Sequence, residues 1–206
     1  MPPLDLVTAT RHLSRSDPVM RRIVKSIGVC GLRPGGRGDH FTTLARAIVG
    51  QQLSTRAAET IWNRVLALHP NGNQLRPEDV LTLTAADLRS AGLSNAKAAY
   101  VKDLAAKVAA NEIKLRGLHR LDDEDIVASL TGVKGVGRWT VEMFLIFKLG
   151  RPDVWPVGDL GIRNAVARGY GLEPTTENLM AVSEPWRPWR SVASWYLWRS
   201  LSAQPV

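Results

Sequence analysis

Apolar residues recur along this chain at the three- and four-residue spacing of amphipathic helices, and no run alternates well enough to support a sheet. In SDPVMRRIVKSIG (16–28), Val19, Met20, Ile23, Val24 and Ile27 share one face. Asp17 stands at the N-cap and Pro18 at the first helical position, and Gly28 or Gly31 ends the helix. Phe41, Leu44, Ala45 and Ile48 form a second stripe; Ala57, Ala58, Ile61, Trp62, Val65 and Leu66 form a third. Gly50 to Ser54 separates those two, with Ser54 as the cap of the later helix. A short helix is predicted over TAADLRSAG, stopped by Gly92, and a longer one over SNAKAAYVKDLAAKVAAN, capped by Ser94 or Asn95. DDEDIVASL is another, its acidic first turn facing the positive end of the helix dipole. Further helices are predicted from about Arg138 to Leu149, over LGIRNAVARGYG, and from about Pro188 to Leu201. RPGGRGDH, HPNGNQLRPED and GRPDVWPVGD read as loops, and KLRGLHRL as a brief extended piece. The fold class is therefore all-α, with no repeat at a fixed period.

Composition narrows the chemistry. The 206 residues, 45% of them hydrophobic, suffice for a core without covalent staples. One cysteine, Cys30, excludes an internal disulfide, a thiolate zinc site and a four-cysteine iron–sulfur cluster. The opening MPPLDLVTATRHLSRSD has neither the apolar core nor the cleavage pattern of a signal peptide, so none is expected. No window approaches the roughly eighteen apolar residues of a membrane span. Lys and Arg outnumber Asp and Glu by 27 to 19. That balance suits a polyanion partner, although a merely soluble basic protein would show it too.

The candidate chemistry lies in LTGVKGVGRWTVEM, Leu130 to Met143, where Gly132, Gly135 and Gly137 precede a helix. Backbone N–H groups of such a turn can converge on one anion, and the helix start adds unsatisfied donors. The spacing lacks the GK[ST] of a P-loop and the G-x-G-x-x-G that follows a strand. Helix, G-V-G turn and helix make a helix–hairpin–helix, which grips nucleic-acid backbone without reading sequence. The plainer reading is a tight corner with packing glycines. Downstream, WPVGDLGIR puts Asp159 between a Pro/Gly loop and a helix. It is either an N-cap, worth about 1 kcal/mol, or, if hairpin and loop face one cleft, a carboxylate beside a gripped backbone. A carboxylate repels phosphate, so the second placement makes sense only if it serves a reaction.

LTGVKGVGRWTVEMFLIF followed by DVWPVGDLGIRNAV resembles the helix–hairpin–helix (HhH-GPD) DNA glycosylase superfamily. AIVGQQLSTRAAETIWNRV, GLSNAKAAYVKDLA and PWRPWRSVASWYLW resemble its alkylbase, 3-methyladenine type II branch, in the compact form without an N-terminal β-domain. The resemblance implies two helical lobes with a DNA-binding cleft between them. Residues 36–150 would form the central lobe, with the hairpin at about 125–149; 1–35 plus 151–206 would form the second, carrying the aspartate loop. It implies a monofunctional DNA glycosylase that flips alkylated, cationic purines out of the duplex and hydrolyses the N-glycosidic bond, leaving an abasic site in base excision repair.

Residue by residue, the resemblance makes Asp159 the catalytic carboxylate. Lyase members carry a lysine after the hairpin's Gly-Arg; Trp139 stands there instead, which implies no strand nick. Trp139 and Trp198 would line the base pocket, with Met143 where the family often has tyrosine; Trp198 is equally readable as core. Trp155, Trp186, Trp189 and Trp195 read as packing. Gly135 and Gly137 would seat a phosphate, Lys134, Arg138 and Arg163 would add grip, and carbonyls of Thr131, Val133 and Val136 would hold Na⁺ or K⁺. No cofactor is implied for the chemistry, and no iron–sulfur cluster. Gln52 or Leu53 would be the wedge that fills the hole left by the flipped base, unless Gly50–Ser54 is simply a turn. The implied partner is double-stranded DNA containing alkylated bases, met by a monomer in a bacterial nucleoid or a eukaryotic nucleus. The rivals are a helix–hairpin–helix protein that binds damaged DNA without catalysis, and an oxidised-base glycosylase with lyase activity.

Overall fold

A computed structural model describes residues 4–36, 38–69 and 75–202, and the regular structure within them is helical throughout. The α-helices are α1 (Leu6–Ser16), α2 (Pro18–Ile27), α3 (His40–Gly50), α4 (Thr55–Ala67), α5 (Pro77–Thr82) and α6 (Ala85–Ser90). They continue as α7 (Asn95–Ala109), α8 (Asp123–Leu130), α9 (Arg138–Phe144), α10 (Leu160–Tyr170), α11 (Thr176–Ser183) and α12 (Arg190–Ser202). The chain divides into two compact units, Met1–Gly35 with Leu145–Val206, and Gly36–Phe144.

In the first unit α2 and α10 pack on α12, and α1 packs on α2. Its hub is a charge. Asp17 caps α2, its Oδ1 accepting the Val19 and Met20 N–H groups at 2.7 and 3.0 Å. Its Oδ2 accepts from the Tyr170 hydroxyl at 2.7 Å and the Trp186 indole at 2.9 Å. Burial, reinforced by this anion, pushes the Tyr170 phenol far above its ordinary range. Trp186, fully buried, meets Trp155 edge to face with ring centres 5.2 Å apart.

In the second unit α7 is central. It packs against α3, α5 and α6, burying Ala98, Val101, Leu104 and Ala105. α3 buries the predicted Phe41, Leu44, Ala45 and Ile48 and also meets α4 and α9.

The structure corrects several local expectations. α1 arises where no helix was predicted: Asp5 caps it through the Thr8 N–H, and only Ala9 and Leu13 of its face are buried, too sparse a stripe to stand out. Of the loop predicted over HPNGNQLRPED, residues 70–74 lie outside those described, and α5 starts at Pro77 inside it. α11 was also missed. KLRGLHRL is not extended; Gly117, at φ +81°, leads into a 3₁₀ turn over Leu118–Arg120. The helix predicted from Arg138 to Leu149 is α-helical only to Phe144 and then widens into a π turn, Leu145–Leu149. α12 begins at Arg190 rather than Pro188.

Removing the Asp17 carboxylate strands four donors. Asp17→Ala should therefore destabilise the protein by about 3 kcal/mol, read as a lower urea midpoint.

Candidate functional site

Two groups of side chains stand out, one in each unit. In the first unit the loop before α10 is strapped to the start of α12. Arg190, only 8% exposed, holds the Asp153 carboxylate through Nε at 2.7 Å and Nη2 at 2.9 Å. The Ser191 hydroxyl donates to the Arg151 carbonyl and accepts the Val154 N–H. The Trp155 indole donates to the Leu179 carbonyl. These bonds fix the Pro/Gly loop that ends at Asp159.

Asp159 caps α10. Its Oδ1 accepts the Ile162 N–H at 2.8 Å and also the Trp198 indole N–H at 2.8 Å. The carboxylate is mostly covered, with 8% exposure, but its neighbours Gly158 and Leu160 are exposed, so the group lies just under the surface. The indole can come this close because residue 161 is glycine. A Cβ there would sit 2.9 Å from Trp198 Cδ1 and 3.0 Å from Asp159 Oδ1. The other side of the indole stacks on Phe147 of the π turn, ring centres 5.7 Å apart and 28° from coplanar. Trp198 is half-buried. Arg163, one turn into α10, is half-buried too.

In the second unit the hairpin runs from Thr131 to Gly137. The Val136 N–H donates to the Val133 carbonyl, closing the turn, and both valine side chains are buried. Gly135, Gly137 and Lys134 are exposed. The glycines have different causes. At Gly135 φ is +77° and a Cβ would fall 2.1 Å from the Tyr100 ring, so glycine is obligatory for internal reasons. At Gly137 the protein places nothing within 4 Å of a Cβ. Internal packing does not demand glycine there, whereas close approach of an outside group would.

The hairpin's other polar contacts come from α7 and from Gln51 at the end of α3. The Lys134 N–H donates to Asp103, Lys107 bridges Asp103 and the Gly132 carbonyl, and the Gln51 amide donates to the Gly135 carbonyl at 2.8 Å. Burial alone would raise the Asp103 carboxyl. The Lys134 N–H and the Lys107 ammonium outweigh it and hold the group below its ordinary 3.8. Among the basic residues expected to grip a backbone, Arg138 is engaged at home in a two-pronged ion pair with Glu124. Trp139 opens α9 with 47% exposure, and the half-buried Met143 lies one turn on, on the same face. Gln52 and Leu53 are both exposed at the tip between α3 and α4, and Gln52 has φ +57°. Trp155, Trp186 and Trp195 are buried as expected of packing residues, and Trp189 is half-buried.

Residues 45–188 match the model of the HhH-GPD superfamily of base excision DNA repair proteins. This chain belongs to the HhH-GPD superfamily. DNA-3-methyladenine glycosylase 1 of Schizosaccharomyces pombe is 36% identical over 95% of this chain and 87% of its own. The fission-yeast 3-methyladenine DNA glycosylase Mag1, solved in complex with abasic DNA, superposes with a TM-score of 0.84 at 35% identity, covering 95% of this chain and 97% of that one. A DNA-3-methyladenine glycosidase from Bacillus halodurans gives 0.83 at 30% identity, over 93% and 88%. Both are HhH-GPD helical folds like this one. Among the described residues no cluster of three His, Cys, Asp or Glu side chains is poised for a metal ion, and no helix is long and apolar enough to cross a membrane.

Sequence reasoning missed Asp103, Lys107, Gly161, Phe147, Asp153 and Arg190. Only Gly161 left a signal: a glycine in the first turn of a helix is costly unless something lies against it.

Gly161→Ala should push the Trp198 indole off Asp159, costing about 1–3 kcal/mol and shifting the Trp198 indole N–H resonance. Because the folded Asp103 carboxyl titrates below its unfolded value, its contribution is complete above pH 3.8 and lost as pH falls through the lower folded value. Hydrogen exchange at the Lys134 amide should therefore quicken over that acidic interval, and Asp103→Asn should abolish the dependence.

Proposed function

We propose that this chain is a monofunctional DNA glycosylase that extrudes alkylated, cationic purines from double-stranded DNA and hydrolyses their N-glycosidic bond. The observation that carries this reading is the second hydrogen bond on Asp159. A helix cap requires only the Ile162 N–H. The Trp198 indole, admitted by Gly161, adds an orienting contact that capping does not need. A fixed carboxylate suits a reaction in which positive charge builds on the sugar as the cationic base departs. At about 4 Å and an effective dielectric of about 20, one carboxylate gains about 4 kcal/mol against a unit positive charge, or about a thousandfold in rate. Asp159 also orients the attacking water and accepts its proton. On this reading Trp198 is a positioning residue, holding the carboxylate, rather than a wall of the base pocket.

Trp139, with its exposed indole, supplies an electron-rich face for the cationic base, worth about 0.5–2 kcal/mol, and Met143 contributes the soft surface beside it. The same position carries no amine, so no Schiff base forms on the sugar and the product is an intact abasic strand. The Gly135 and Gly137 amides take a phosphate, with Lys134 adding salt-sensitive attraction. Arg138 reaches a phosphate only by exchanging Glu124 for it. The Gly132 and Gly135 carbonyls are engaged by Lys107 and Gln51. The carbonyl oxygens of Thr131, Val133 and Val136, of which that of Val133 also accepts the Val136 N–H, are the hard donors that would hold a Na⁺ or K⁺. The protein acts as a monomer wherever its genome lies, in the nucleoid or the nucleus.

Base release from an oligonucleotide panel containing 3-methyladenine, 7-methylguanine and hypoxanthine tests the assignment. The wild type should free at least one cationic base, and Asp159→Asn should do so about a thousandfold more slowly. Borohydride should trap no covalent complex. Full-rate excision by Asp159→Asn, or a trapped adduct, would refute the mechanism.

A further inference from the structure

The loop Gly50–Ser54 is held by contacts that its own sequence does not reveal. The Leu53 N–H donates to the Gly50 carbonyl at 3.2 Å. Gln51 at φ −52°, ψ 134° and Gln52 at φ +57° follow the pattern of a type II turn. That turn favours glycine at its third position; Gln52 occupies it with a left-handed φ that a side chain rarely adopts. Two side chains hold the strained turn in place. The Lys97 ammonium, at the start of α7, gathers the Val49 carbonyl at 2.8 Å and the Gln51 carbonyl at 2.6 Å. The Gln51 amide spans to the Gly135 carbonyl at 2.8 Å.

Lys97 belongs to a row. Along α7, Lys97 holds this turn, Tyr100 lies against Gly135, Asp103 takes the Lys134 N–H, and Lys107 takes the Gly132 carbonyl. One helix thus carries both the turn and the hairpin on a single line of side chains. We propose that Gln51 and Lys97 are positioning residues that set the turn at a fixed distance from the hairpin, so that Gln52 and Leu53 enter the duplex in register with the phosphate held at Gly135 and Gly137. This rests on the DNA glycosylase reading for its purpose, but only on DNA binding for its test. The strain at Gln52 gives the strut its function. Without the two anchors the turn relaxes, and the side chains at its tip lose their aim.

The test uses a duplex carrying a tetrahydrofuran abasic analogue with 2-aminopurine in the opposite strand, whose fluorescence rises as the wedge unstacks it. Gln51→Leu removes the amide that reaches the Gly135 carbonyl without adding a charge beside the phosphate seat, and Lys97→Met keeps most of the stem without the ammonium. Each should lower the fluorescence rise at saturating protein, and the single-turnover release of an alkylated base, by about tenfold. Affinity for undamaged duplex and the melting temperature should stay near wild type, and Lys97→Arg should recover most of the signal. Gln51→Asn, whose amide is too short to span, serves if Gln51→Leu does not fold. In a Gln52→Ala/Leu53→Ala background the Gln51 and Lys97 changes should have no further effect, because they act through those tips. Wild-type unstacking by both single variants, additive losses in that background, or a wild type that never unstacks the probe would overturn the proposal. A wild type that unstacks the probe yet releases no base would leave the strut standing and remove the glycosylase reading.

Discussion

One oxygen atom, Oδ1 of Asp159, takes hydrogen bonds from a backbone amide and from an indole, and much of the first unit is arranged around that meeting. The amide requires α10 to begin at Leu160. The indole requires α12 to present Trp198 over the first turn of α10, which is possible only with glycine at 161. The approach of the loop then has to be fixed independently, and Arg190 with Ser191 does this through Asp153 and the 151 and 154 backbone. Phe147 backs the indole from a turn wound more loosely than an α-helix. A π turn re-aims the side chains that follow it, and such turns recur at functional sites for that reason.

The second unit solves a different problem with similar means. Its hairpin buries only Val133 and Val136, and its 50–54 turn is largely exposed, so packing alone does not fix them. Charged groups on α7 do so by pairing with backbone groups. Lys97 and Lys107 donate to carbonyls, and Asp103 accepts an amide. Hydrogen bonds to charged groups are the stronger kind, about 1.5–3 kcal/mol each. They also leave Gly137 uncovered. On the proposed reading this surface admits a phosphate, so it cannot be held rigid by burying it, and support from behind by an adjoining helix is the available alternative.

How much of this was legible in the sequence depended on how local each cause is. Caps and stripes are local: Asp17, Ser54 and Ser94 cap the helices expected of them, and the α3 face is buried as its spacing required. α1, α5 and α11 escaped because a helix of six to eleven residues burying one or two side chains leaves almost no periodic trace. The hairpin and Asp159 could be found because glycine spacing and a Pro/Gly-bounded aspartate are short motifs. Their supports could not. Asp103 lies 31 residues from the Lys134 amide, and Trp198 lies 39 from Asp159. Nothing along the chain links such partners, and a lysine on a polar helix face looks the same whether it is solvated or anchors a turn.

Asp17 shows why local chemistry alone does not assign a role. It too caps a helix, is 7% exposed and accepts an indole N–H. As helix caps the two aspartates are alike. They differ in what surrounds them. The Asp17 oxygens are divided among two amides, a phenol and an indole from Tyr170 and Trp186, the latter fully buried, so that charge is spent on joining helices. Asp159 is flanked by exposed Gly158 and Leu160, and its indole partner rests against Phe147, which is 42% exposed. Asp159 is thus a carboxylate oriented as firmly as a core residue yet set just beneath the surface. On the proposed reading that arrangement suits stabilisation of a transient cation, since preorganised charge acts without reorganising at the moment of reaction.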